Sequence, residues 1–219
     1  MKGAITKCYG EKRVFNRFAF DFADGEITCI VGESGVGKTT LLKAIAGLIS
    51  VEGEIERRQS AFVFQEHRLL THLTAKENLL YVGATEESAN TALEKCRLQG
   101  KENRLVSTLS GGEKQRVALA RAFVSKTDLW LMDEPFSALD TPLKIALWKD
   151  FISLWQEKKP TVLLVTHDLE EAWALGHRVI LLKDGKIAYD CNTNHTQFPA
   201  PYGQSSEEKQ DFFRAVIGE

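Results

Sequence analysis

Long apolar runs, paired cysteines and a surplus of either charge are all missing from this 219-residue sequence. No segment approaches the roughly 20 consecutive apolar residues that cross a bilayer, and the opening MKGAITKCYG lacks the apolar core of a secretory signal. The 28 basic residues balance 30 acidic ones, which gives no indication of a nucleic acid or an anionic membrane surface as partner. The four cysteines are scattered, without metal-ligand spacing or the density of a disulfide framework, and this usage indicates a reducing cytoplasm. They are Cys8, Cys29, Cys96 and Cys191.

The apolar pattern changes its period along the chain and thereby predicts an α/β fold. With 43% apolar residues, the chain is able to bury a real core, in one domain with a sizeable insertion. Short β-branched and aromatic segments within residues 2–31 predict strands. KTTLLKAIAGLI has helical spacing, with Leu41, Ala44 and Leu48 on one face. In the last third of the chain, strand patterns alternate with helix patterns, which predicts a mostly parallel sheet with crossover helices.

Residues 66–125 are polar and helix-rich, and we interpret them as a helical subdomain inserted into the α/β core. The core then comprises residues 1–65 together with residues 126–190. Residues 191–219 form a tail of loop and short helix, to which the sequence assigns no chemistry.

The stretch GESGVGKTT, residues 32–40, fits the phosphate-loop pattern G-x-x-x-x-G-K-[ST]. It follows the apolar strand EITCIV and opens a helix, which is the context that the motif requires. Glycines let backbone N–H groups wrap around phosphates, and the N-terminus of the helix adds positive potential. Lys38 supplies a positive charge to the β- and γ-phosphates, and the Thr39 hydroxyl is able to ligate Mg²⁺. The motif therefore predicts nucleotide binding.

Polar side chains follow three further predicted strands. In LWLMDEP, Asp133 and Glu134 come directly after four apolar residues, at the carboxyl edge of a parallel sheet, where ligands bind. Asp133 is placed to hold Mg²⁺ through water, and Glu134 to activate the attacking water as a general base. Gln65 could reach Mg²⁺ or the attacking water, and His167 could reach the γ-phosphate. All four also fit ordinary strand-end residues, and for Gln65 and His167 the chemistry alone favours that simpler interpretation.

The stretch LSGGEKQR looks like a second phosphate loop. Ser110 and Glu113 form the capping-box pattern S-x-x-E at the start of a helix, and a similar box is predicted at residues 168–171. The box does not explain Gly111 and Gly112, because consecutive glycines lower helix propensity. Glycines suit a position where another group approaches the backbone closely, and an anion at this helix N-terminus would be such a group. If the helical subdomain holds this loop away from the first one, a second chain could supply it, and this hypothesis predicts an ATP-dependent head-to-tail dimer.

Six motifs stand in the order that is typical of ATP-binding cassette (ABC) ATPases, and the resemblance spans roughly residues 3–190. They are GESGVGKTT, FQE, LSGGEKQRVALARA, LMDEP, SALD and VTHD. The chain thus resembles this family, whose LSGG signature is highly specific. The resemblance implies a P-loop NTPase core with a mostly parallel sheet, an N-terminal antiparallel β subdomain, and an inserted helical subdomain that carries the signature.

The resemblance also implies a role for each motif in binding and hydrolysing Mg-ATP. The implied catalytic residues are Lys38, Gln65, Glu134 and His167, and the implied Mg²⁺ ligands are Thr39, Gln65 and Asp133. By the same resemblance, Tyr9 would stack on adenine, and residues 137–140 would couple the two sites of a dimer. The other implied nucleotide-binding residues of the same chain are Gly32, Glu33, Ser34, Gly35, Val36, Gly37, Lys38, Thr39 and Thr40. Those supplied across the dimer are Ser110, Gly111, Gly112 and Glu113.

Within the family, HRLLTHLTAKENL and THDLEEAWALGHRV are similar to the nitrate/sulfonate/taurine-type importer ATPases, and we expect no C-terminal regulatory domain. We expect an energy-coupling ATPase on the cytoplasmic face of the inner membrane, paired with itself or with a paralogous subunit. Membrane permease subunits would dock just past Gln65, a substrate-binding protein would complete the complex, and nucleic acid is not expected as a partner. Two alternatives stay open: a mechanotransmission ATPase of a lipoprotein-release or cell-envelope machine, and a soluble ABC protein acting on DNA or ribosomes. The permease and any binding protein, rather than this chain, select the substrate.

Overall fold

The computed structural model describes residues 1–195, 198–203 and 206–217, whose strands form two sheets. The strands are β1 Lys2–Tyr9, β2 Lys12–Asp21, β3 Ile27–Val31, β4 Glu52–Ile55, β5 Ser60–Val63, β6 Leu129–Asp133, β7 Thr161–Val165, β8 Arg178–Lys183 and β9 Lys186–Asn192. The smaller sheet has three antiparallel strands in the order β2-β1-β4. It confirms the predicted antiparallel β subdomain near the N-terminus.

The larger sheet has six strands in the order β5-β6-β7-β3-β8-β9, and all neighbours are parallel except β8 and β9. This confirms the predicted mostly parallel sheet. Because β3, β5, β6 and β7 run in the same direction, the loops that follow them emerge at one edge. That edge is where an open α/β sheet binds its ligand.

The large sheet lies between two separate apolar clusters, as alternation along its strands requires. On β6, Trp130 and Met132 belong to the cluster beneath the later helices, whereas Leu129 and Leu131 face the cluster that α1 and the small sheet cover. The chain is therefore built in three layers around the large sheet. The four tryptophans all lie in the cluster beneath the helices. They are Trp130, Trp148, Trp155 and Trp173.

Seven α-helices are present in the described ranges. They are α1 Lys38–Ile45, α2 Ala75–Leu80, α3 Glu86–Lys95, α4 Gly111–Phe123, α5 Thr141–Lys158, α6 Leu169–Leu175 and α7 Glu207–Ile217. Helices α2, α3 and α4 pack against one another, and the division of the chain at residues 66, 126 and 191 stays a prediction. Within the described ranges, no helix combines the length and the apolar content that a membrane crossing needs.

Helix α1 is shorter than the sequence pattern predicts. Leu41 and Ala44 are fully buried, as expected, but the helix ends at Ile45, and Leu48 is 52% exposed. The reason is Gly47, whose φ of 72° lies in the left-handed region where a helix commonly stops. The predicted apolar face is therefore wrong at Leu48.

The tail helix α7 packs on the core, and Phe212 is its most deeply buried aromatic side chain. Phe212 is fully buried and stacks on Trp173 of α6, with ring centroids 5.8 Å apart. Close by, the ammonium group of Lys209 forms an ion pair of 2.8 Å with Glu170, which also lies on α6. The tail is thus attached to the helix that directly follows residue 167.

Replacing Phe212 with Leu is expected to lower the free energy of unfolding by roughly 1–2 kcal/mol. The reason is that Trp173 loses its stacking partner and the smaller side chain leaves a cavity. The matched control is Phe213→Leu in the same turn, where the side chain is only half-buried, with an expected loss below about 0.5 kcal/mol. Urea unfolding followed by circular dichroism measures both values. Equal losses for the two variants would contradict the anchoring role of Phe212.

Candidate active site

A cavity of about 540 Å³ lies at the edge of the large sheet where β3, β5, β6 and β7 end. Its lining brings together most of the predicted site residues from five separate parts of the sequence. The lining residues are Tyr9, Lys12, Val14, Gly32, Ser34, Gly35, Gly37, Lys38, Thr39, Thr40, Gln65, Asp133, Glu134, Val165 and His167.

The phosphate loop leads from β3 into α1 through glycines that other residues could not replace. Gly32 has a φ of 150°, and a Cβ there would collide with the Leu182 carbonyl oxygen. Gly37 has a φ of 116°, and a Cβ there would lie 2.6 Å from a methyl group of Val14. Gly37 is also the N-cap of α1, and no side chain caps this end of the helix. The first N–H groups of α1 are therefore available to an anion.

The ammonium group of Lys38 is held over this loop. It donates to the carbonyl oxygens of Gly32, at 2.6 Å, and of Glu33, at 2.9 Å. Burial lowers the pKa of Lys38, and the negative charges of Glu134 and Asp133 partly oppose that effect. Its positive charge therefore sits where the glycine loop and the two carboxylates meet.

Asp133 ends β6 and is almost fully buried, with 3% exposure. Burial raises the pKa of Asp133, whereas a hydrogen bond with the Thr39 hydroxyl lowers it. A carboxylate and a hydroxyl, in contact and beside the phosphate loop, are the hard oxygen ligands that Mg²⁺ prefers. The donor set therefore fits this ion.

Glu134 projects into the cavity from a strained backbone position. Its φ of 51° is unusual for a residue with a side chain, and such a conformation costs about 1–3 kcal/mol. Hydrogen bonds at both ends of the residue hold it in this strained conformation. Its N–H donates to Val165, and its carbonyl oxygen accepts from Ser137 and from Gln115 of α4.

The carboxylate of Glu134 also contacts His167, whose Nδ1 lies 2.9 Å from Oε2. His167 follows β7 and is exposed, so its ring reaches across the open side of the cavity. The neighbouring Asp168 caps α6 by accepting from the Glu171 N–H. The predicted capping box is wrong in one respect: the Asp168 N–H donates to the Thr166 hydroxyl, and the Glu171 side chain is buried in the core instead.

Sequence reasoning missed four residues at this site, one of which is Val165 at the end of β7. Lys12 and Val14 line the cavity because the β1–β2 hairpin folds back beside Tyr9, and their proximity to Tyr9 in the sequence was the available signal. Gln115 is 1% exposed and holds the carbonyl oxygens of Glu134 and Pro135, the latter at 2.8 Å. A glutamine between Lys114 and Arg116 gives no such signal, since the sequence alone does not show which polar side chain points inward.

Several predicted nucleotide contacts lie outside this cavity. Glu33 and Val36 line a smaller adjoining cavity of about 220 Å³, on the far side of the phosphate loop. The predicted second loop is also absent from the lining of the main cavity. It comprises Ser110, Gly111, Gly112 and Glu113.

The second loop caps α4 with two side chains, and the space beside Gly111 stays clear. Ser110 and Glu113 form the predicted capping box, in which each side chain bonds the other residue's backbone N–H. A Cβ on Gly111 would have no neighbour within 4 Å, so packing within the described chain does not require that glycine. Gly112 differs, because its Cβ would lie 3.3 Å from the Ala138 carbonyl oxygen. The chain itself therefore explains Gly112 but not Gly111.

Comparison with known proteins accounts for this combination of loops. Residues 15–137 match the family model described as ABC transporter. The chain belongs to the ABC transporter family. It is 45% identical over 191 residues to the aliphatic sulfonates import ATP-binding protein SsuB 1 of Pseudomonas syringae pv. tomato, covering 85% of this chain and 71% of that protein. A protein from Rhodococcus jostii, named aliphatic sulfonates import ATP-binding protein SsuB 2, is 39% identical over 98% of this chain and 90% of its own length.

Solved structures of ABC cassettes share the fold. The dimeric structure of MJ0796, a bacterial ABC transporter cassette, superposes with a TM-score of 0.80 at 31% identity, covering 89% of this chain and 100% of that one. A dimeric post-hydrolysis state of MJ0796 bound to ADP and Pi gives a TM-score of 0.78 at 30% identity, covering 89% of this chain and 99% of that one. This ABC chain accordingly has the predicted P-loop NTPase fold, binds ATP and hydrolyses it.

Proposed function

We propose that the chain powers a bacterial importer of organic sulfonates by hydrolysing Mg-ATP in a head-to-tail dimer. The observation that carries the proposal is the cavity in which the phosphate loop, Asp133, Glu134 and His167 meet. The relatives named as sulfonate import proteins, 36–45% identical, support the choice of cargo.

In the proposed reaction, each lining residue has one task. Tyr9 stacks on the adenine, and the phosphate loop with Lys38 binds the phosphates. Mg²⁺ held by Asp133, Thr39 and Gln65 neutralises phosphate charge when it is bound. Glu134 accepts the proton of the water whose oxygen attacks the γ-phosphorus, as the bond to the β-phosphate oxygen breaks.

His167 holds the Glu134 carboxylate at 2.9 Å and faces the same open side of the cavity. It is therefore placed to keep the base oriented and to contact the γ-phosphate.

The proposed dimer supplies the loop that the cavity lacks. The capping box uses the N–H groups of Ser110 and Glu113, so the N-terminus of α4 would offer the N–H groups between them to an anion, and Gly111 keeps the approach clear. A second chain, turned head to tail, would place this loop over the γ-phosphate. Gln115 connects the two halves of the arrangement, because it lies on α4 and bonds the backbone of Glu134 within its own chain.

The proposed permease dock lies just past Gln65, where a second contact reaches α4. The guanidinium group of Arg121 donates to the carbonyl oxygen of Arg68 at 3.0 Å. A membrane subunit seated on this segment would thus be connected both to Gln65 in the cavity and to the helix that begins with the second loop.

The partner test uses a tagged Glu134→Gln chain, which Mg-ATP should hold in the ATP-bound dimer because the variant does not hydrolyse it. The chain is purified from detergent-solubilised source membranes. A multi-span permease that co-purifies supports the transporter role. A Lys38→Ala chain serves as the control, because it should not form the ATP-bound dimer. A cell-envelope machine in place of a permease would favour mechanotransmission. Ribosomal or DNA-bound proteins without a membrane partner would overturn the transporter role.

The cargo is tested with the purified complex in proteoliposomes. ATP-dependent uptake of a labelled alkanesulfonate is expected, and the same complex carrying Glu134→Gln should take up none. Uptake of a different anion, with the alkanesulfonate excluded, would overturn the sulfonate assignment while leaving the coupled ATPase in place.

A further inference from the structure

Glu171 is a carboxyl group buried in the core, and the proposed reaction does not use it. It lies in the first turn of α6 with 2% exposure, four residues after His167. Its Oε1 atom is buried and has no hydrogen-bond partner within the described residues. A buried, unsatisfied carboxyl oxygen is costly, and a native structure keeps one for a reason.

The Glu171 side chain contacts the turn that carries His167. It interacts with the hydroxyl of Thr166, which is itself 3% exposed. That hydroxyl accepts the N–H of Asp168 at 3.0 Å, and the Thr166 N–H donates to Ile30 on β3 at 3.2 Å. Hydrogen bonds thus hold the residues on both sides of His167, and a series of polar contacts connects these residues to Glu171.

We propose that the buried carboxyl group of Glu171 positions His167 for ATP hydrolysis by holding the Thr166 hydroxyl and, through it, the backbone N–H of Asp168. The inference rests on the proposed role of His167 beside Glu134. It makes Glu171 a positioning residue, since the side chain lies outside the lining of the nucleotide cavity.

The neutral form of Glu171 performs this role. Complete burial raises the pKa of Glu171 from 4.5 to about 8, and the Thr166 hydroxyl only partly opposes that effect. The surrounding charges contribute on both sides, since two acids raise the pKa and one base lowers it. The ionisable groups that face the carboxyl are Asp168, Lys144 on α5, Glu134 after β6, and Cys29 on β3. Below pH 8 the carboxyl therefore stays protonated, and above pH 8 it acquires a charge that Glu134 and Asp168 repel.

The test compares kcat and KM for ATP in Glu171→Gln and Glu171→Leu. Glutamine keeps a neutral hydrogen-bonding group, so its kcat at pH 7 should lie within about threefold of the wild type. Leucine fills the space without the hydrogen bond, and its kcat should fall by about 10- to 100-fold with little change in KM, because His167 is displaced while the ATP contacts remain. Glu170→Gln is the matched control, since its side chain faces the tail, and its kcat should stay unchanged.

The pH profile and the neighbouring hydroxyl provide independent readouts. The wild-type kcat should decline as the pH rises above 8, and the Glu171→Gln variant should lack this decline. If Glu171→Leu does not fold, Thr166→Val removes the hydroxyl with little change of shape and should produce the same loss of kcat. Folding of each variant is checked by circular dichroism.

A folded Glu171→Leu or Thr166→Val variant that keeps the wild-type kcat would overturn the inference, as would a folded Glu171→Gln variant whose kcat falls as far as that of Glu171→Leu. Coincident pH profiles above pH 8 would overturn the assignment of the neutral form. A His167→Ala chain tested in parallel separates the two levels: full activity in that chain refutes the proposed role of His167 itself.

Discussion

Replacing Glu134 with Gln is expected to lower kcat for ATP hydrolysis by about 10³-fold and to leave ATP binding intact. Glutamine keeps the size of the side chain but cannot accept the proton that the attacking water loses. Neighbouring groups do not substitute for it, because Asp133 bonds the Thr39 hydroxyl and His167 bonds Glu134 itself. Phosphate release at saturating Mg-ATP measures the rate, and titration with a fluorescent ATP analogue measures the affinity.

The matched control for this variant is Asp128→Asn. Asp128 is exposed and stands just before β6, at the end of the strand opposite to Glu134, so the same change of charge should leave kcat unaltered. A Glu134→Gln chain that keeps more than a tenth of the wild-type rate would refute the assignment of Glu134 as general base. The same variant should form dimers in Mg-ATP by analytical ultracentrifugation, and a chain that stays monomeric there would count against the proposed dimer.

Replacing Gly111 with Asp is expected to lower the ATPase rate by about 10²- to 10³-fold, because the new carboxylate would face the γ-phosphate of the opposing site. The free energy of unfolding and the affinity of the monomer for ATP should not change. A side chain at this position meets no atom of its own chain within 4 Å, and an acid suits the N-terminus of a helix. Ser107→Asp is the control, since it adds the same charge at an exposed position three residues before the capping Ser110.

Mixing two inactive variants tests directly whether the second loop acts across a dimer. Gly111→Asp leaves the phosphate loop intact, and Lys38→Ala leaves the second loop intact. A mixed head-to-tail pair therefore contains one complete site, and the mixture should recover up to roughly a quarter of the wild-type rate. No recovery, with both chains folded, would contradict a site shared between two chains.

The motifs at the sheet edge were predictable because local sequence determines each of them. The phosphate loop needs its glycines at fixed spacing, and the capping box of Ser110 and Glu113 is set by four consecutive residues. Strand ends then place Gln65, Asp133 and His167 at a single edge, which follows from parallel topology alone.

The remaining features depend on contacts between distant segments. Gln115 reaches Glu134 only because α4 packs on β5, the neighbour of β6 in the large sheet, and Glu171 is buried only because α6 turns its second acid toward the core. Glu170 and Glu171 are identical and adjacent, yet one pairs with Lys209 of the tail and the other faces Thr166. Composition and periodicity do not distinguish such neighbours, because the difference lies in which face of a short helix meets the sheet.

The placement of the tryptophans allows their intrinsic fluorescence to report on the structure of the chain. All four indoles are buried in the cluster beneath the helices, so their emission should be blue-shifted relative to tryptophan in water. None of them lines the nucleotide cavity, where the proposed aromatic contact is Tyr9. A bound adenine would therefore contact no tryptophan in the lining of the cavity, and it should not quench tryptophan emission directly. A change of tryptophan fluorescence on adding ATP would instead report repacking of the helical layer, without any label on the protein.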